Sequence, residues 1–440
     1  MKEASASRSA GLDGPLQALE LSAVRALVWP IRAIISEPSL LFLGALTAML
    51  LRHPDVQFYE IDRVAFGLLV LGVSGRVIVM RQTPFVARAS LPMIGLMILG
   101  LASVAGQPFD PETWSLLASK FIVPFALFHL AALVFTTEKR FRQFEWFSLM
   151  VLVYLSFTAI AFLIGARSLI FPRFILDESL GFHADRARGP LLQAVANGVS
   201  LNILGLLGAH AYLRGRVRGV KIWTLLGSVP IAILATMTRA VWLSFAVSLI
   251  ALILLSGNRV FQRAGIAAVV IGMLGLAVLM SSGDFAGSLN DRLQERGPID
   301  YREAVYAGGW EMFQQRPWWG WGFHQMPAEL PLHVSGYQEK VLYPHNTYLE
   351  LLVEHGVIGF ALYVWLMWEL WRLRRGAIPS EERAGFLGGH FHRLWPILLA
   401  VYWVNAAVVV MSYQFVNGLL FTMAGMLAGQ NKRAGFAQTC

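Results

Sequence analysis

A chain of 440 residues with 56% hydrophobic and 14% charged residues is too apolar for a string of soluble domains, which run at roughly 45–50% and about 25%. Mean hydropathy of +0.57 points the same way. The net charge of +9 does not indicate a nucleic-acid binder, because the cations sit in short stretches between apolar runs, the pattern that orients membrane proteins. The one cysteine, Cys440, excludes an internal disulfide and a cysteine metal cluster.

Residues 1–14 are polar and lack an apolar core, so no cleavable signal peptide is expected. Residues 15–35 mix Leu16, Leu19, Val24 and Ile31 with Glu20, Arg25 and Arg32, which predicts an amphipathic helix that lies on the membrane or leads into the first span. Apolar runs near the length a spanning helix needs follow at 36–51, 62–80, 84–106, 113–135, 146–169, 190–213, 221–237, 239–256, 264–282, 346–371, 394–411 and 413–429. The expected fold is an all-α polytopic membrane protein of about twelve transmembrane helices.

Arginine and lysine recur in every second connection: Arg81 and Arg88, then Lys139, Arg140 and Arg142, then Arg214, Arg216 and Arg218, then Arg259 and Arg263, then Arg372, Arg374 and Arg375. These connections are assigned to the cytoplasm, and both termini with them. The opposite face carries the long polar segments, 170–189 and 283–345. The second is too long for a simple connector and predicts structure of its own. Pro298 opens a helix over 299–315 and Pro317 ends it. The expected organisation is an N-terminal segment (1–35), nine spans (36–282), a large helical periplasmic loop between spans nine and ten (283–345), three spans (346–429) and a tail (430–440).

Four features gather on that outer face. Arg186 and Arg188 precede a helix beginning near Pro190, and Arg239 lies between two spans with almost no loop around it. Each arginine alone is compatible with a snorkelling anchor. Together they suit a phosphate or pyrophosphate, which guanidinium binds in a fork. Tyr301 to Gln325 carries Arg302 and the cluster Trp318, Trp319, Trp321 and Phe323, either an interfacial belt or a stacking wall for sugars or a lipid-linked donor. His345 lies just before a helix that Asn346 or Thr347 caps, with Thr347 to Glu350 matching a capping box. The positive helix end disfavours imidazolium, and a neutral imidazole near pH 7 is what a general base requires. Glu350 and Glu354 share a helix face and read either as an ion pair to an arginine such as Arg239 or as groups that orient a catalytic arginine. Arg76 and Lys120 read as internal pairing residues or snorkels.

No phosphate-binding G-x-x-x-x-G-K-[ST] loop and no H-E-x-x-H zinc motif occurs. No Asp-x-Asp pair of the kind that holds a metal on a sugar nucleotide is evident. The expectation is therefore no cofactor, no metal, and a leaving group neutralised by arginines.

These residues resemble the O-antigen ligase and polymerase superfamily of bacterial inner-membrane glycosyltransferases. Arg186-Ala187-Arg188-Gly189-Pro190 is similar to its R-x-x-G-P segment, and Thr238-Arg239-Ala240 to its S/T-R-G/A segment, with alanine where many members have glycine. Arg302 with Pro317 to Gly322 resembles its R…P-x-x-G-x-G stretch. His345-Asn346-Thr347-Tyr348-Leu349-Glu350 with Gly356 and Gly359 resembles its H-N-x-[YF]-L…G-x-x-G signature. The resemblance covers roughly residues 183–360. It implies a GT-C-like enzyme that moves a glycan from undecaprenyl pyrophosphate to an acceptor hydroxyl at the periplasmic face, with inversion and without ATP. It implies His345 as general base, with Arg186, Arg188 and Arg239 on the pyrophosphate, Arg302 and Asn346 as further donor contacts, and Glu350, Trp319 and Tyr348 in support. The acceptor expected for a ligase is lipid A–core oligosaccharide. A polymerase or a protein O-oligosaccharyltransferase would use the same donor. Outside enzymes, a secondary transporter would place its ionisable groups near the bilayer midplane, and a flippase would bind the same lipid but need no general base.

Overall fold

The computed structural model describes residues 37–52, 61–181, 183–255, 259–281, 297–334, 342–376 and 385–439, with the single positions 287 and 378. The amphipathic helix expected over 15–35 lies outside the described residues, as do 288–296 and 335–341 of the long outer segment.

Helix is the only regular secondary structure among the described residues. The first helices are α1 (Pro38–Leu50), α2 (Ile61–Val79) and α3 (Ser90–Ala105). Then come α4 (Pro111–Leu117) and α5 (Val123–Val134), joined by a π-helical turn, Ala118–Ile122. Next are α6 (Glu138–Leu163), α7 (Ala194–Leu213), α8 (Val220–Ala235), α9 (Arg239–Leu255) and α10 (Arg259–Met280). The outer segment contributes α11 (Gly297–Gln315) and the single turn α12 (Met326–Glu329). The chain closes with α13 (Thr347–Arg372), α14 (Gly389–Ala406) and α15 (Gln414–Thr439).

Among the described residues, four helical stretches are long and apolar enough to cross a membrane: Pro111–Val134, Glu138–Leu163, Ala194–Leu213 and Thr347–Arg375. Five shorter apolar helices accompany them. Several ends differ from the hydropathy windows. Helix α6 starts at Glu138 rather than 146, because charge depresses hydropathy without preventing helix. Helix α7 starts at Ala194 rather than Pro190, since residues 186–193 form turns that build the site. Helix α14 ends at Ala406 although apolar residues continue, because Val408 and Val409 leave the helix and accept from Arg302 and Thr347. Helix α11 spans the stretch bracketed by the two prolines.

Packing sorts the helices into core and rim. Residues 415–429 of α15 are buried on every face, the condition of a helix apolar all round. It packs most closely on α5, where Gly425 and Gly429 lie against the backbones of Phe128 and Ala132. Small residues let backbones approach where lipid supplies no hydrophobic drive between helices. The rim helices keep apolar residues exposed: Leu68, Leu71 and Ile78 on α2, Ile94 and Ile98 on α3, Met273, Leu274 and Val278 on α10. Exposed apolar surface of this extent fits contact with lipid.

Candidate active site

The site is built around the start of α13. Asn346 is its cap: the side-chain oxygen accepts from Tyr348 N at 2.9 Å and Leu349 N at 3.1 Å. The capping box expected at Thr347 does not form. Thr347 Oγ1 instead donates to Val409 O at 2.9 Å and accepts from Met411 N at 2.9 Å, fastening the α14–α15 loop to the helix start. The Asn346 acceptor is thereby committed to the cap, which weakens its expected role on a donor. Its predecessor His345 has φ +46°, an uncommon conformation for a residue with a side chain. The imidazole is thus held outside the helix, beside its positive end.

Helix α13 is not one continuous span. Gly356 has φ 62° and ψ −166° and breaks it. The segment 317–322 docks into the break. Trp321 N donates to Val353 O at 2.8 Å and Gly322 N to Glu354 O at 2.9 Å, while Val357 N donates to Pro317 O at 2.8 Å. The loop replaces helical hydrogen bonds with its own, the condition for irregular backbone inside a membrane protein. A β-carbon on Gly356 would run into the Trp318 carbonyl, and one on Gly320 into the Glu354 carbonyl. The G-x-G and G-x-x-G elements are therefore two halves of one joint.

Carboxylates below the joint find a lysine, not an arginine. Lys120 Nζ, in the π-helical turn, is 2.7 Å from Glu350 Oε1 and 4.0 Å from Glu354 Oε2. Arg239, the partner expected from sequence, makes neither pair. Glu354, 1% exposed, also accepts from His324 N at 2.9 Å. Lys120 Nζ stands 5.2 Å above the Phe323 ring, which packs between Phe121 and His355. Ser103 accepts from Phe323 N at 2.6 Å and Gln107 from Gln325 at 2.8 Å, so α3 also holds the outer segment. Burial first, then the Lys120 ammonium, holds the His324 imidazole below its ordinary pKa.

Three outer elements meet at His345. From α11, the Tyr301 ring lies 6.1 Å from the imidazole, and Tyr301 Oη accepts from Tyr343 N at 3.1 Å. Arg302, next in sequence, acts on the imidazole electrostatically and reaches Val408 O at 3.4 Å. His183, from the segment that carries Arg186, acts on it as well. Burial is the largest influence, and the Arg302 guanidinium and then His183 add to it, so His345 is held below the ordinary histidine pKa. The shift favours the neutral imidazole.

The arginine segment is anchored to the α8–α9 turn. Ala187 N donates to Ala235 O at 3.1 Å, and Asn197 donates to Ala187 O at 2.8 Å. Arg186 and Arg239 are thus brought to neighbouring backbone. Arg239 begins α9 and is exposed, while Arg186 is mostly enclosed, with Nε 3.7 Å from Asp185 Oδ2. Arg188 differs from the expectation. It is 1% exposed, and its guanidinium donates to the carbonyls of Ile175 (3.0 Å), Leu180 and Asp177. Three backbone acceptors occupy the fork, so Arg188 moulds the 170–181 segment and presents no free face to a phosphate.

The aromatic cluster divides. Trp319, 69% exposed, and Trp318 face outward, Trp321 is covered by the Arg316 guanidinium at 4.2 Å, and Phe323 is core. Tyr348 braces the site by donating to Trp403 O at 3.1 Å. Lys120 as the carboxylate partner, and His183 and Tyr301 beside His345, were not assigned these places from sequence. The tyrosine adjoining Arg302 and the histidine opening the arginine segment were the available signals.

Residues 223–364 match the family described as O-Antigen ligase. The matched stretch holds Arg239, Arg302, Pro317 to Gly322 and His345, and the arginine segment 186–190 lies outside it. The resemblance to the O-antigen ligase and polymerase superfamily stands on that stretch. No curated protein matches the chain.

Proposed function

We propose that this protein is a membrane glycosyltransferase of the O-antigen ligase type, moving a glycan from undecaprenyl pyrophosphate to a hydroxyl of lipid A–core oligosaccharide. The observation that carries the reading is the placement of His345: an imidazole outside a helix N-terminus, 6.1 Å from the Tyr301 ring and under the electrostatic influence of Arg302 and of His183 from the arginine segment. A base beside the Arg302 guanidinium suits removal of a hydroxyl proton next to a departing pyrophosphate.

In this mechanism Arg186, Arg239 and Arg302 hold the pyrophosphate. The acceptor oxygen attacks the anomeric carbon from the face opposite the leaving group. The new carbon–oxygen bond forms as the carbon–oxygen bond to phosphate breaks, and the hydroxyl proton passes to His345. Undecaprenyl pyrophosphate departs with its charge on the arginines, and the configuration inverts. Arg188 acts one layer out, through the loop it moulds, while Asn346 and Tyr348 fix the helix start and Glu350 with Lys120 braces the joint beneath it. Trp319 offers an exposed ring to a sugar or a lipid chain. The twelve helical stretches then cross the inner membrane with both termini in the cytoplasm, and the site faces the periplasm. No metal has a step in this scheme, so chelator leaves transfer intact.

The test is the purified protein in liposomes with a lipid-linked glycan donor, with and without lipid A–core, and no nucleotide. Product only with lipid A–core supports the ligase. Extended lipid-linked chains without it indicate a polymerase, and product on an added acceptor protein alone indicates a protein-directed transferase. Movement of donor across the bilayer without any covalent product overturns the enzyme reading in favour of a flippase.

A further inference from the structure

Two adjoining cavities open beside α4, whereas Arg239 begins α9. The larger, about 410 Å3, lies between the ends of α1 and α4 and the loops 181–193 and 412–415. The smaller, about 330 Å3, runs between α2, α4 and α5. Arg52, Ser115, Ser119 and Gln414 line both, so the two share a wall.

Three links tie this space to His345. Loop 181–193 sets Gly181 and Gln193 in the cavity wall and His183 beside the imidazole. The α14–α15 loop sends Val408 O to Arg302 and Val409 O to Thr347, then Ser412 and Gln414 to the cavity. Glu112 lines the cavity and acts electrostatically on Tyr343, two residues before His345, and on His324.

The polar groups of the cavity select its ligand. Asp62 is 2% exposed, and its Oδ1 takes no hydrogen bond among the described residues, while its Oδ2 lies 3.8 Å from Arg52 Nε. Gln193 Oε1 is likewise buried without a donor among those residues. Two buried acceptors call for a ligand that donates. A pyrophosphate has no proton to donate near pH 7, and Arg52 and Arg63 share these walls with Asp62 and Glu112, so the space holds no excess of cations to draw it. A sugar hydroxyl donates. The smaller cavity adds an apolar wall of Phe66, Trp114 and Ile122, suited to a sugar face or to the edge of a lipid anchor.

We infer that this space is the acceptor subsite, which binds the glycan of the acceptor through hydroxyl groups donated to Gln193 and Asp62 and delivers one hydroxyl to His345. The inference rests on the transferase reading above and adds where the acceptor sits. The donor pyrophosphate then approaches from the Arg186 and Arg239 side, and the base lies between the two.

Binding separates the two claims, because it needs no turnover. The His345→Gln protein in nanodiscs is titrated with lipid A–core, and separately with lipid-linked glycan donor. Gln193→Leu and Ser115→Trp, which fills the open space, are each added to that background, with thermal midpoints confirming folding. The expected result is an acceptor Kd raised at least ten-fold with the donor Kd within two-fold of the parent. An unchanged acceptor Kd in a folded variant, or a rise in donor Kd instead, overturns the subsite. If the parent sequence binds lipid A–core and the variants lose it while the unsubstituted enzyme transfers nothing, the subsite stands and the transfer reading falls. Absence of acceptor binding in the parent overturns the subsite outright, and the liposome assay still decides the transfer reading.

Discussion

Gly356 and Trp318 share one contact on which the outer site hangs: a β-carbon at Gly356 would collide with the Trp318 carbonyl oxygen, in a residue whose φ is 62°. Gly356→Ala therefore meets both a steric block and a left-handed backbone that alanine disfavours. A loss of about 1–3 kcal/mol is expected for the conformation alone, with the collision adding to it. Thermal unfolding in detergent measures this. An unchanged midpoint would mean that the loop does not seat in the helix break.

Arginines 188 and 239 are predicted to separate. Arg188→Lys removes a planar fork from three carbonyls and leaves buried acceptors unmet, a cost of about 1–3 kcal/mol. Arg239→Lys keeps the charge but not the bidentate geometry. It is expected to lower transfer about 100-fold or more with the thermal midpoint unchanged, since Arg239 is exposed. If Arg188→Lys instead keeps full stability and loses donor binding, the buttressing role is wrong.

The pH profile follows from His345. Its imidazole is held below the ordinary value of about 6.5 by burial, Arg302 and His183, so the base is neutral and active above that range. Transfer is expected to fall only as pH drops below about 6.5, where the imidazole takes up a proton. Stability moves in the same direction, because the unfolded histidine binds its proton first and acid favours the unfolded chain. Arg302→Gln removes one of the cationic influences and is expected to move the acidic midpoint of kcat/KM upward. A midpoint that stays fixed would separate Arg302 from His345.

Lys120 is predicted to matter through what it leaves behind. Lys120→Met strands Glu350 and Glu354 side by side, and breaking a buried pair in this way costs about 3–5 kcal/mol. Adding Glu350→Gln is expected to restore much of the loss, as read by thermal midpoint. Equal stability of the single and double variants would contradict the pairing.

Much of this was legible in the sequence, and the reasons differ by residue. Helix lies in each of the predicted apolar stretches, because hydropathy and helix share a cause in lipid. The motifs meet in pairs, segment 186–190 on the end of α8 and segment 317–322 in the break of α13. The burial of Arg188 was not legible, because a motif shows charge and not burial. Its three carbonyl partners lie 8 to 13 residues upstream, in a segment with no regular pattern. Lys120 as the partner of Glu350 was hidden by a separation of 230 residues, which no periodicity spans. The break in α13 left a readable trace, since Gly356 and Gly359 interrupt an apolar run. Glycine in a helix is common enough, however, that only the docked loop explains it.

The central claim is that His345 removes the acceptor proton. Its most direct test is His345→Gln in liposomes, with transfer to lipid A–core and donor binding measured on the same preparation. Glutamine keeps approximate size and hydrogen bonding but cannot serve as a base near neutral pH. The account predicts transfer lowered about 100-fold to 10,000-fold, with donor Kd and thermal midpoint unchanged. Transfer within a few-fold of the unsubstituted protein would contradict it, and the base would have to be sought elsewhere on the outer face.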